Sequence, residues 1–327
     1  MDIAGSTKLA VLAVLAEGVL GYPQSLYAMI GHPVSWIGRL IAIAERALNQ
    51  KKRSAAARFA SGAAALAILL LIAAGAARLA EAGIAALGLA RPLPLLLNAL
   101  AAASLIAQRS LDDHVFAVRQ SLEKGIEEGR EAVAKIVGRD VDTLDASSVA
   151  SAAIESVAES FCDGVVAPAF WIAAFGLAGG LCHKTINTAD SMIGHRTVRY
   201  AAFGFAAAKL DDLVNFAPAR LSALLVAAAC LLTKGASLKG ALRTLWRDSS
   251  GHPSPNAGWP EAAFAGALGL RIAGPRSYEG VNVTDAPIGD GNRACAKDIE
   301  RALALYRRAC LVHWLALIAI LLAIARF

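Results

Sequence analysis

None of the glycine-rich loops that cradle a nucleotide on backbone amides occurs in these 327 residues: there is no G-x-x-x-x-G-K-[ST], no G-x-G-x-x-G after a strand and no G-x-S-x-G elbow. Any phosphate must therefore be held by arginines and a metal ion. The five cysteines, Cys162, Cys182, Cys230, Cys295 and Cys310, form no C-x-x-C pair and read as small buried hydrophobes, which excludes a disulfide framework. Six histidines include no H-x-x-x-H and no H-E-x-x-H, so nothing spells zinc. Aromatic residues are only 6% of the chain and do not interleave with basic ones, which argues against nucleic acid as a partner. A cleavable signal is not evident either, since only Lys8 precedes the first apolar run.

What the chain does contain is apolar sequence, 57% of residues, with a mean hydropathy of +0.52. Soluble domains average nearer half or less, so the composition predicts an all-α, polytopic integral membrane protein with cytoplasmic helical segments and long polar loops. The net charge of +6 suits anionic substrates or lipid head groups, and an ordinary positive-inside bias accounts for it equally well. Apolar runs at 9–30, 60–77, 95–107, 164–182, 217–233 and 309–325 are the spanning candidates. Five blocks follow: N-terminal membrane helices over 1–107 with a basic loop at 39–58, a solvated helical segment over 108–154, a central motif region over 155–233, a polar region over 234–308, and a C-terminal membrane helix over 309–327. The segment 39–58 holds Arg39, Arg46, Lys51, Lys52, Arg53 and Arg58 against the single acid Glu45, which places it in the cytoplasm. Asp145 or Ser147 is expected to cap a helix start after the turn at 138–145.

Residues 155–220 carry most of the groups able to do chemistry. Glu155, Glu159 and Asp163 recur every four residues, so a helix would present three carboxylates along one stripe. Their repulsion favours a cation. Magnesium, which takes one or two protein carboxylates and completes its shell with water and phosphate oxygens, suits such a stripe; a solvated helix face before a membrane span is the alternative. Asn187, Asp190, His195 and Arg196 fall within NTADSMIGHR, where an amide, a carboxylate, an imidazole and a guanidinium offer donors to an anion, although a lone histidine is more often structural. Lys209, Asp211, Asp212 and Asn215 follow in a helical run, with Arg220 at the mouth of a span. The paired aspartates could hold a second metal or orient an amine, or simply mark a helix end. Gly31-His32-Pro33 and Gly251-His252-Pro253 echo one another and put two histidines on stiff loops.

The apolar stretch 164–182 poses a difficulty. A full crossing there would separate Asn187, Asp190 and Asp211 from Glu155 and Glu159. Pro168 and the Gly176, Gly179, Gly180 cluster favour instead a re-entrant or half-buried segment that returns the chain to the side it left.

Five stretches then carry a resemblance: HPVSWIGRLI at 32–41, ESVAESFCDGVVAP at 155–168, NTADSMIGHR at 187–196, KLDDLVNFAPARLSALL at 209–225 and HPSPNAGWPEAAFAGALGLRIAGPRSY at 252–278. Together they resemble the cobalamin-biosynthesis CobD/CbiB family, the adenosylcobinamide-phosphate synthases, over nearly the whole chain. Departures are Glu17 and Gly21-Tyr22-Pro23, where the family commonly has an aspartate and a G-D-P turn, and Glu159-Ser160-Phe161, where it usually reads E-N-F.

The resemblance implies a ligase of the bacterial inner membrane with a cytoplasmic site, joining a propionate carboxyl of adenosylcobyric acid to the amine of aminopropanol phosphate with ATP and magnesium. It implies the corrinoid and the amino-alcohol phosphate as substrates, and a membrane location suits a large corrinoid passed between cobalamin-pathway enzymes. Carried onto this chain, Glu155, Glu159, Asp163, Asp211 and Asp212 are the magnesium candidates. Glu155, Glu159, Asp190 and His195 are the catalytic ones. His32, Arg39, Asn187, Arg196, Lys209, Asn215, Arg220, His252, Asn256, Glu261 and Arg276 are the substrate- and phosphate-binding ones. The rivals are a non-catalytic AmpE-like membrane sensor, expected to lack the polar loop around His252 and Asn256, and a transporter, expected to show two similar halves.

Overall fold

The computed structural model describes residues 2–326 apart from Arg196, Glu279, Gly280 and Thr284, and the main chain only of Gln24, Leu26, Arg276–Tyr278, Val281 and Asn282. Among the described residues the helices are, in chain order, α1 Ile3–Leu20, α2 Gln24–Ile30, α3 Pro33–Leu48, α4 Ala55–Ala86, α5 Leu93–Ala103, α6 Gln108–Lys124, α7 Ile126–Val133, α8 Ala146–Phe161, α9 Ala167–Ile193, α10 Phe205–Val214, α11 Phe216–Ala229, α12 Leu238–Asp248, α13 Gly258–Leu268 and α14 Ala296–Ile324. Among the described residues five helical stretches are long and apolar enough to cross a membrane: Ile3–Leu20, Ala55–Ala86, Leu93–Lys124, Ala146–Ile193 and Ala296–Ile324. Phe205–Val214 with Phe216–Leu232 makes a sixth if that bent pair is one span. The protein is an all-α, polytopic membrane protein. The reason is local: in hydrocarbon only a helix satisfies its own backbone, and these segments have the apolar length to use one.

Two compact units divide the chain, each assembled from separated segments. The first takes Met1–Ala107, Ala167–Asn215 and Leu317–Phe327, so its first boundary falls where the composition turns polar at Gln108. Its core joins α3, α4, α9 and α10 through Ile37, Ile41, Leu66, Leu69, Ile193 and Ala207, with Phe203 from the preceding loop. Within it, α9 is broken at Gly176, whose φ of 68° and ψ of −157° no L-residue adopts cheaply. The chain folds back on itself there. A Cβ on Gly179 would lie 2.2 Å from the carbonyl oxygen of Trp171, and one on Gly180 2.5 Å from Ile172, contacts between residues eight apart that a straight helix never makes. The chain thus doubles back within 164–182, and the glycines are the seam.

The second unit takes Gln108–Val166 and Phe216–Ala316. Asp145 caps α8 by accepting a hydrogen bond from the Ser148 amide at 2.8 Å. After Phe161 the helix widens to π geometry over Cys162–Val166. The region 234–308, expected to be a polar loop, is more structured than its composition suggests. Its described residues contain α12, the deeply buried α13, and five short strands, β1 Leu270–Ala273, β2 Arg276–Tyr278, β3 Val281–Val283, β4 Pro287–Ile288 and β5 Asn292–Arg293. β1 pairs antiparallel with β4 and parallel with β5, and β2 pairs antiparallel with β3.

Candidate functional site

In the first unit the site residues gather on the second half of α9. Asn187 donates to Asp211 Oδ1 at 3.5 Å, which brings the NTADSMIGHR and KLDD motifs together. Lys184, three residues before Asn187 and hence on the same helical face, stands near His32, whose imidazole is held below its ordinary pKa first by burial and then by that positive charge. His32 is itself the N-cap of α3: its Nδ1 accepts the Val34 amide at 3.2 Å, with Pro33 in the first turn and Tyr22 edge-on at 4.5 Å. Asp190 folds against the end of α9, so close that a Cβ on Gly194 would lie 1.9 Å from its Oδ1. Lys209 and Asp212 are paired with each other at 2.8 Å. His195 and Arg39 are exposed, and Arg196 lies outside the described residues.

The loop after α9 is clamped to the basic segment. Arg199 forms a bidentate pair with Glu45, at 3.0 and 2.8 Å, and its carbonyl accepts from Asn49 at 3.0 Å and from Arg58. Arg199 therefore sits at the same end of the unit as Glu45, Asn49 and Arg58. Asn215 pairs with His183, Nε2 to Oδ1 at 2.9 Å, and both side chains are buried. Sequence reasoning missed His183 and Lys184; spacing could have found Lys184, whereas a lone histidine in an apolar run carries no signal.

In the second unit the carboxylate stripe separates into three environments. Glu155 is buried and locked: Arg139 meets it at 2.9 Å, Ser151 Oγ donates at 2.7 Å and the Ala273 amide at 2.9 Å. Glu159 is exposed and Asp163, within the π segment, is half-buried. Among the described residues no three His, Cys, Asp or Glu side chains gather as a metal cluster. A three-carboxylate cage is therefore not formed, because α geometry ends after Phe161 and because Arg139 occupies the first of the three acids.

Arg220 is oriented from several sides. It lies over the Phe216 ring at 3.6 Å and the Trp259 ring at 4.5 Å, and donates to Asn256 Oδ1 at 3.0 Å. His252 repeats the device of His32, its Nδ1 accepting the amide of Ser254 two residues on, at 3.0 Å. In both loops the bond to Nδ1 leaves the proton on Nε2 in the neutral ring. The His252 Nε2 stands 3.8 Å from the buried Glu261. Only glycine fits at 258, where a Cβ would come within 2.6 Å of His252 and 2.5 Å of the Ser249 carbonyl. Arg276 contributes its main chain to β2, and its side chain lies outside the described residues.

The polar loops so arranged are those of a known family, for the model described as "CobD/Cbib protein" matches residues 10–306. The chain belongs to the CobD/CbiB family. It is 48% identical over 308 residues to the cobalamin biosynthesis protein CobD of Sinorhizobium sp., covering 93% of this chain and 94% of that one. It is 45% identical to the protein of that name from Rhizobium meliloti (strain 1021), over 98% of each. The Rhodobacter capsulatus protein of the same name is 45% identical, over 92% of this chain and 94% of that one. No solved structure matches. Membership assigns this CobD/CbiB chain to cobalamin biosynthesis.

Proposed function

We propose that this protein is an ATP- and magnesium-dependent amide ligase that joins adenosylcobyric acid to (R)-1-aminopropan-2-ol phosphate, giving adenosylcobinamide phosphate. The observation that carries this reading is that the polar motifs of a cobalamin-biosynthesis chain fold into rigid, charge-bearing cradles: Arg220 sandwiched and bonded to Asn256, and Asn187 and Asp211 joined beside Lys184 and His32. A carboxylate does not condense with an amine in water unless it is activated, most simply as an acyl phosphate. Such a step depends on neutralising phosphate charge and holding the partners in line.

The donors present are hard oxygens with few soft competitors, which fits magnesium bound through one or two carboxylates; Glu159 and Asp163, or Asp211, would hold it. Bound there it would supply charge neutralisation at the phosphates. In the second unit Arg220, pre-oriented by its two rings, would clamp a phosphate bidentately; in the first, Arg39 and Arg196 offer positive charge to an anion. Asp190 or His195 would accept the proton that the attacking ammonium must lose. We place this chemistry on the cytoplasmic side of the bacterial inner membrane, because Arg199, just after the NTADSMIGHR motif, is clamped to Glu45 in the basic segment 39–58. A reporter fused at Asn187 and scoring as exported would overturn that placement.

The test is formation of cobinamide phosphate from cobyric acid, ATP and aminopropanol phosphate in membranes carrying the protein, followed by mass spectrometry. Glu159→Gln is expected to abolish product while the protein still inserts; near-normal turnover would remove Glu159 from the site. No product from the wild-type chain, where a family relative works, would sink the ligase reading.

A further inference from the structure

α12 presents two faces of different kinds. Its inner face, Ala241, Thr244 and Leu245, is buried, and its backbone is drawn against α13 by a glycine contact, a Cβ on Gly240 falling 2.3 Å from the Gly266 carbonyl and the converse likewise. The helix is thus held rigidly. Its outer face is apolar where a soluble helix would be polar. Trp246 is 93% exposed and Leu242 47%, with Leu238 half-buried beside them, and Lys239, Arg243 and Arg247 flank the row. Arg247 is pinned by Asp248 at 2.6 Å and Asp290 at 2.5 Å, and Arg243 stands 3.6 Å from Asp290. The face is therefore nearly balanced in charge, and its exposed area is mainly hydrocarbon and indole.

Its place in the chain says what covers it. α11 is prolonged by a 3-10 turn over Cys230–Leu232, the end of the bent pair that is apolar enough to cross a membrane as one span, and Leu231 and Leu232 are exposed there. Only residues 233–237 separate that end from α12, a linker reaching at most ~17 Å. A rigid amphipathic helix tied that closely to a span end cannot go far from the bilayer surface. Tryptophan and leucine flanked by lysine and arginine is the composition of a helix lying in the head-group boundary, indole at the carbonyl level and cations reaching out to phosphate.

We propose that α12 is an interfacial helix that docks its Leu242–Trp246 face into the phospholipid boundary of the bilayer. Full-length Cys295→Ser protein carrying a nitroxide at Leu242→Cys or Trp246→Cys would be reconstituted into nanodiscs of phosphatidylethanolamine and phosphatidylglycerol, with Asp142→Cys as a solvated reference and the parent signal subtracted. At 242 and 246, collisions with oxygen should exceed those with a water-soluble nickel chelate, whose access should be about fivefold below that at 142. Nickel access equal to that at 142 would overturn the proposal. So would low access to both reagents, the mark of a second copy or another protein on this face. Leu242→Cys keeps Trp246 in place, so the test stands even if the Trp246 variant fails to insert.

Discussion

Arg139→Ala should destabilise the second unit by an amount set by burial. The guanidinium and the Glu155 carboxylate meet at 2.9 Å with side chains only 9% and 6% exposed, and the same carboxylate holds Ser151 and the main chain of β1. Removing the cation alone strands a buried carboxylate, which costs about 3–5 kcal/mol, whereas deleting both partners removes the stranded charge and costs less. For a unit of this size that is roughly a 10 °C fall in Tm. The assay is thermal unmasking of Cys162, Cys230 and Cys310, buried thiols of this unit, to a thiol-reactive dye in detergent. Arg139→Ala should unmask early, and Arg139→Ala with Glu155→Ala should recover part of the loss. A single variant within about 1 kcal/mol of wild type, or a double variant less stable than the single, would refute the argument that Glu155 is a structural lock.

Gly179→Leu should prevent α9 from doubling back, since its Cβ alone would already lie 2.2 Å from the Trp171 carbonyl; loss of correctly inserted protein in a membrane-fraction assay checks this. Gly176→Ala should cost about 1–3 kcal/mol through its positive φ, read as a lower Tm with insertion retained. The Glu45–Arg199 clamp should open in acid. Hydrogen bonding from Arg199, the largest of several contributions, holds the Glu45 pKa below its ordinary 4.5, so its stabilisation is full above about pH 4.5 and lost as pH falls through the lowered value; faster amide exchange in 194–204 at that acid pH, and not at pH 6, is the readout. Arg220→Lys should raise the KM for the phosphate-bearing substrate more than it lowers kcat, because a lysine keeps the charge but loses the stacked fork, and unchanged kinetics would remove Arg220 from binding.

Much of this molecule was legible along the chain. The spans, the Asp145 cap and the break in 164–182 follow from hydrophobic length, capping chemistry and glycine, all of which act within a few residues. The Gly-His-Pro echo was visible as well, and its meaning proves local: each imidazole caps a backbone amide two residues on. What was not legible depends on partners far away in sequence. Nothing in the four-residue spacing of Glu155, Glu159 and Asp163 announces Arg139 and the Ala273 amide, and nothing in α geometry foretells the π turn that carries Asp163.

By itself the sequence determined that the chain lives in a bilayer as helices, because unpaired backbone cannot remain in hydrocarbon. It also determined which motifs bear charge. Only the tertiary structure decided which of those charges are already engaged. Glu155 is locked by an arginine sixteen residues away, Glu45 clamps a loop 154 residues on, and Arg220 is aimed by an asparagine thirty-six residues later. Charge is a property of a residue, but its availability is a property of what the fold places within about 3 Å of it.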